Sequence, residues 1–262
     1  VKIREPAVPG SFYPDDREEL KNVIRRFIES APLEDFPDLK GIISPHAGYI
    51  YSGPIAAFGY KQLKNIDYKS QIKVIIVAPS HYAYFKGASV GLFDAYKTPL
   101  GFVNVSKDAK NLLSAENFHF ILEAHIEEHS IEVQLPFLQY MLTHFEIIPI
   151  LYSDISAESL LSGVKSIFDE NSLLLISTDL SHYYEYKEAI EKDAHCITAV
   201  EKLDRKALSH CEACGKIGIE AGIEFAKENH LKSKVLKYAT SGDTAGPKTQ
   251  VVGYLSAVFY GG

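Results

Sequence analysis

Several stretches of this chain are apolar without interruption, and from about residue 40 to the end they alternate with segments of helical periodicity. Residues 41–46 (GIISPH), 74–80 (VIIVAPS), 89–93, 146–152 (EIIPILY), 173–179 (LLLISTD), 235–241 and 251–260 read as strands. A continuous apolar run lacks the in/out alternation of a half-exposed strand, so several of these strands are expected to be covered on both faces. Helices fit between them. Leu20, Val23, Ile24, Phe27 and Ile28 form one helical stripe, with Asp16 as N-cap and Glu19 three residues on. Pro54 suits the first turn of a helix over 54–63, and 157–168, 184–203 and 215–228 supply the others. The alternation predicts an α/β fold: a single domain over 1–262, three layers deep, with a mostly parallel sheet between helices.

Composition narrows the partners. The 262 residues are 46% hydrophobic, enough for a large core. With 27 basic against 34 acidic side chains, the formal net charge is −7 and no basic face is visible. Nucleic acid and anionic membrane surfaces both require a Lys/Arg footprint and are therefore not expected partners. No apolar run approaches the ~18 residues of a membrane span. The first ten residues carry no apolar signal core. Three cysteines (Cys196, Cys211, Cys214) are an odd number crowded into one region, which does not read as a disulfide framework. A reducing, cytoplasmic compartment is the expectation.

The strand endings carry the chemistry. Residues 41–46 run into Pro45-His46-Ala47-Gly48-Tyr49, and 74–80 into Pro79-Ser80-His81. Residues 173–179 lead through Asp179 to Ser181-His182, and 235–241 through Ser241-Gly242 to Asp243-Thr244. Ligands of open parallel sheets bind at the carboxyl ends of the strands. Singly, His46 and His81 could bond loop backbone, Asp179 could cap a helix and His182 could be a surface histidine. Four such endings together predict one shared polar site. Neutral imidazoles suit zinc, iron and copper, and two His plus a carboxylate is the non-haem iron(II) pattern. Asp179 and His182 could instead act as an acid–base pair beside the metal.

Two other motifs compete. His125-Ile126-Glu127-Glu128-His129 matches H-x-x-E-H, which in a zinc protease needs both His on one continuous helix. Here the helical stripe of Ile131, Leu135, Leu138 and Leu142 begins after the motif, and Ser130 looks like an N-cap. His129 then falls at or before a helix start and could still face the site. Cys211-Glu212-Ala213-Cys214 is a lone C-x-x-C, better read as Cys214 packed beside Gly215 at a helix start. The charge run 185–193 reads as a solvated helix face. Nucleotide, dinucleotide and α/β-hydrolase signatures are absent.

The same segments carry a resemblance. Residues 4–14 (REPAVPGSFYP), 45–57 (PHAGYIYSGPIAA), 78–81 (APSH), 128–137 (EHSIEVQLPF), 177–182 (STDLSH), Cys214-Gly215 and 240–243 (TSGD) resemble the Memo (mediator of cell motility) family over essentially the whole chain. That family's fold looks like the class III extradiol dioxygenases, non-haem iron(II) enzymes that cleave catechol rings. The resemblance implies that His46 and His81 are metal ligands, that His182 is the acid–base histidine with Asp179 beside it, and that His129 is a further pocket histidine. The third ligand, a carboxylate in the dioxygenases and a cysteine in animal Memo proteins, is expected near the 240–244 turn. Thr244 would occupy the cysteine's place there, leaving Asp243 as the candidate. Microbial members are similar to proteins encoded near AMMECR-type and radical-SAM proteins, which suggests a pathway link.

These observations lead to a divalent metal site, iron or copper before zinc, held by His46, His81 and Asp243. His182, Asp179 and His129 would do the chemistry on oxygen or on a small ligand. The rival is a binding module that holds a small molecule or peptide without turnover, with Tyr49, Tyr51, Tyr82, Tyr84 and Phe85 as an aromatic rim. A third possibility is the zinc protease through His125, Glu128 and His129.

Overall fold

The computed structural model describes residues 2–67 and 70–262. Its centre is a nine-stranded sheet. In chain order the strands are β1 (Leu39–Ser44), β2 (Ile72–Pro79), β3 (Ala88–Val90), β4 (Phe118–His119), β5 (Phe145–Tyr152), β6 (Ser172–Ser177), β7 (His182–Tyr184), β8 (Lys232–Thr240) and β9 (Val251–Tyr260). They lie in the order β7-β9-β1-β6-β2-β5-β3-β4, with β8 also paired to β9. The middle four, β1, β6, β2 and β5, are mutually parallel, while β9 joins β1 in the antiparallel sense and β8 joins β9 likewise. The α/β expectation with a parallel centre is met; the parallel block is framed by antiparallel strands.

The uninterrupted apolar runs find their explanation in two cores. Ile43, Ile75, Val77, Leu174 and Ile176 face one side, and Ile42, Val74, Ile76, Leu173 and Leu175 face the other. Each fully buried Val, Leu or Ile contributes roughly 1.5–3 kcal/mol relative to exposure. The first side is covered by α6 (Ala157–Ile167), α7 (Tyr186–Lys202) and α8 (Lys216–Glu228). The second is covered by α1 (Arg17–Ser30), α2 (Tyr49–Lys61) and α5 (Leu135–Met141). Asp16 caps α1 as expected, accepting the Glu19 N–H. Among the described residues no helix is long and apolar enough to cross a membrane.

Several local expectations are corrected. Helix α2 begins at Tyr49, not Pro54, so the proline lies inside it. Its missing N–H would have met the carbonyl of Ile50, only the second residue of the helix, so a single early bond is lost. Cys196 and Cys211 form a disulfide, and Cys214 is the only free cysteine. The odd count therefore conceals one pair, and the inference from cysteine usage to a reducing compartment no longer stands. The 185–193 run is not wholly solvated: Asp193 is buried, accepting from Ser181 N–H and Tyr238 O–H.

The amino-terminal segment is anchored by one carboxylate. Glu132 lies in the short helix α4 (His129–Glu132), which comes after α3 (Leu122–Ile126). Fully buried, it pairs with Arg4 and accepts the N–H groups of Ala7 (2.7 Å) and Val8 (3.0 Å) and the Tyr13 hydroxyl (2.7 Å). Removing one member of such a buried pair strands the other's charge. Glu132→Ala is therefore expected to cost about 3–5 kcal/mol in denaturant unfolding, against less than about 0.5 kcal/mol for Glu18→Ala on the exposed face of α1. Equal midpoints for the two variants would refute this account of the anchor.

Candidate metal centre

Strands β1, β6 and β2 are neighbours and parallel, so their carboxyl ends deliver the loop residues beyond them to one place. Ser44 of β1 is in register with Ser177 of β6, and Val77 of β2 with Ile176. His46 is thus set down beside Ser177 and Asp179, with His81 on the other flank. The opening of α4 brings His129 from above the β2 end, where the Ser130 hydroxyl donates to the Pro79 carbonyl (3.1 Å). One ligand atom from each of His46, His81 and His129 lies within 4.8 Å of the others, close enough to hold a metal ion.

Each ring is held by named partners. His46 is buried; its Nδ1 lies 2.9 Å from the Ser177 hydroxyl, and its backbone N–H donates to Asp179 Oδ1 (2.9 Å). His81 sets its Nδ1 at 2.9 Å from Glu128 Oε2, and that carboxylate also accepts the Ser130 N–H (3.0 Å). Glu128 is thereby the N-cap of α4, where Ser130 was expected. Phe12 packs on His129 with ring centroids 4.7 Å apart.

Cys214 joins this group. Its Sγ lies 3.4 Å from His46 Nε2 and accepts the Asp179 N–H at 3.3 Å. Gly215 makes the approach possible: a Cβ there would meet the Thr178 side chain at 2.5 Å, so only glycine lets this segment press on the β6 end. The resemblance puts the cysteine's place at Thr244. Thr244 donates to the Ser241 carbonyl, while the free thiol at the imidazoles is that of Cys214. Its signal in the sequence was the Cys214-Gly215 pair itself.

Asp243 is also placed elsewhere. In α9 (Ser241–Thr244) it completes a capping box, accepting the Thr240 N–H (2.8 Å) at Oδ2 and the Tyr186 hydroxyl (2.7 Å) at Oδ1. It borders a separate groove with Pro54 and Lys237, whereas Ser241 reaches the cavity at the imidazoles. The protease motif is split as well. His125 belongs to α3 and His129 opens α4, and the buried His125 sets Nε2 2.8 Å from the Ser89 hydroxyl. The two rings do not share a helix face.

The three imidazoles, Asp179 and His182 line a cavity of about 510 Å³ walled by Phe12, Tyr51, Tyr183, Val252 and Tyr254, with no Lys or Arg among the described residues that line it. Of the expected aromatic rim, Tyr51 lines it and Tyr82 stands edge-on to His129. Tyr49 is buried in the core, and the Tyr84 hydroxyl turns to Asp154. Tyr183 adopts φ +67° at an irregularity where β7 meets β9, between His182 and Tyr184. A non-glycine residue in the left-handed region at a cavity mouth marks backbone held against its preference.

The electrostatics are uneven across the site. Burial pushes Asp179 up to about 6. Burial would lower His81, but its bonds to Cys214 and Glu128 prevail and raise it to about 10. Burial would raise the Cys214 thiol, yet His46 and His81 bring it down to about 6. Burial and the neighbouring His46 lower His129 to about 3, leaving a neutral ring able to ligate. In metal-free protein, therefore, the Cys214 thiolate is expected to titrate near pH 6 and not at the ordinary 9.0. Thiolate ultraviolet absorbance against pH reads this directly, since Cys196 and Cys211 are tied in their disulfide. The His46→Ala/His81→Ala variant should move the transition back up. An ordinary titration in the unsubstituted protein would show that the rings do not act on the sulfur.

Comparison with known proteins agrees with this arrangement of motifs. The family model described as "Memo-like protein" matches residues 4–258. A "MEMO1 family protein" of Thermotoga neapolitana is 37% identical over 279 residues, covering 98% of this chain and 99% of the relative. One from Aquifex aeolicus is 37% identical over 274 residues (99% and 100%), and one from Sulfolobus acidocaldarius 38% over 283 (98% and 99%). With matches that span nearly the whole of both partners, this chain belongs to the Memo family.

Proposed function

We propose that the protein holds a redox-active first-row transition metal, iron or copper before zinc, and uses it in oxygen-dependent or redox chemistry on a small ligand bound in the adjoining cavity. The observation that carries this reading is the convergence of three imidazoles within 4.8 Å at the wall of that cavity. His46 and His81 would hold the ion, with the Cys214 thiolate or His129 as the third donor. Imidazole with thiolate suits copper, iron and zinc and is a poor set for calcium or magnesium. When bound, such an ion supplies a Lewis acid and, for iron or copper, an electron carrier.

The remaining roles belong to the chain's own groups. Asp179, raised to about 6, exchanges a proton near neutral pH. His182 faces the same cavity and is the second proton carrier. Phe12, Tyr51, Tyr183 and Tyr254 offer flat apolar walls to the ligand.

Metal analysis of anaerobically purified protein, beside the His46→Ala/His81→Ala variant, tests the centre. Stoichiometric iron or copper is expected in the first and none in the second; equal, negligible metal in both after reconstitution would end the proposal. Oxygen consumption with a panel of catechols tests the chemistry. Uptake that disappears in His182→Ala is expected, and a metal-loaded protein inert to oxygen and to redox titration would leave only a binding site.

A further inference from the structure

Ser177 is the last residue of β6 and wholly buried, yet its hydroxyl has three polar partners. It lies 2.7 Å from the Ser130 carbonyl, 3.0 Å from Gln134 Nε2 and 2.9 Å from His46 Nδ1. A hydroxyl has one hydrogen and two lone pairs, so these three contacts exhaust it. Their directions can be assigned without seeing a hydrogen. Gln134 Nε2 also lies 3.0 Å from the Pro45 carbonyl, which can only accept, and Gln134 Oε1 accepts the Tyr60 hydroxyl. The amide orientation is fixed, and Gln134 is a donor to Ser177. The Ser130 carbonyl likewise can only accept, so it takes the one hydroxyl hydrogen. Were that hydrogen turned to His46 instead, two oxygens would face each other at 2.7 Å in a dry interior with no proton between them.

The remaining lone pair of Ser177 must therefore receive a hydrogen from His46. We propose that Ser177, held by Gln134 and the Ser130 carbonyl, is a positioning residue that fixes the neutral His46 ring as its Nδ1–H tautomer and so presents the Nε2 lone pair to the metal centre. This rests on the reading of His46 as a ligand. Nε2 is the nitrogen that lies 3.4 Å from Cys214 Sγ and 3.8 Å from Asp179 Oδ2, so the Ser177 network holds the hydrogen on Nδ1 against these two acceptors. Without the network, the ring would be free to carry its hydrogen on Nε2, where it blocks ligation. His81 reaches the same orientation by a different device, the Glu128 carboxylate at its Nδ1. The two rings are thus set by one neutral and one charged acceptor, and a carboxylate makes its imidazole the stronger donor of the pair.

Long-range proton–nitrogen NMR of metal-free, full-length protein labelled with nitrogen-15 histidine reads the tautomer, at a pH where the His46 ring is neutral. His46 is expected to show a protonated Nδ1 and an unprotonated Nε2. Ser177→Ala should abolish that preference and weaken zinc(II) binding about 10-fold or more, while Ser177→Thr, which keeps the hydroxyl, should restore both. A protonated Nε2 in the unsubstituted protein overturns the proposal, even if Ser177→Ala fails to fold. So does a Ser177→Ala spectrum with unchanged His46 nitrogens. Unsubstituted protein with the expected tautomer but no zinc, iron or copper uptake would overturn the metal reading alone.

Discussion

The site depends on how a single buried serine at the head of α4 spends its polar groups. The Ser130 N–H donates to Glu128, its hydroxyl to the Pro79 carbonyl, and its own carbonyl receives the Ser177 hydroxyl. The first caps one short helix, and the other two tie its start to the ends of β2 and β6. They also decide the state of two rings, since Glu128 orients His81 and Ser177 orients His46. In a dry interior each of these groups would cost about 1–3 kcal/mol if left unpaired. The arrangement is therefore a closed set: moving α4 leaves several buried polar groups unmatched at once. Glu132, two residues further on, uses the same helix to fasten the amino-terminal segment that carries Phe12 against His129.

Much of this was legible in the amino-acid pattern. Continuous apolar runs signal strands with two covered faces, and the two cores on either side of the sheet are the physical reason. The histidines at the ends of β1 and β2 and the aspartate beyond β6 could be placed together because parallel strands end on one edge. The strand boundaries moved by one to three residues in most cases. The start of α2 moved by five, since Tyr49, Ser52 and Gly53 ahead of the proline are already buried in the helix.

Polar residues whose role exists only in three dimensions were not legible. Ser177 and Gln134 sit inside otherwise apolar segments and look like tolerated exceptions; nothing local says that they meet. Glu128 was visible only as part of a protease pattern, and its true work is to cap α4 and orient His81. The disulfide was hidden because Cys196 and Cys211 lie on separate elements, and three cysteines in one region do not say which two pair.

The turning of Asp243 away from the imidazoles is the most instructive of these. Strand β8 does run in the same direction as β1, because two antiparallel steps through β9 restore it, and its exit does reach the cavity at Ser241. The rule that strand ends converge therefore holds for β8. The carboxylate breaks it, and the signal for that was present: Thr240-Ser241-Gly242-Asp243 has the spacing of a capping box, in which the fourth side chain turns back to the first backbone N–H. With its two oxygens taken by Thr240 and Tyr186, this aspartate stays at its own helix start, away from the imidazoles. Cys214 has no such local commitment. It is followed by a glycine whose missing side chain lets the segment close onto Thr178, and that contact, with no sequence neighbour in common, is what brings a sulfur to His46.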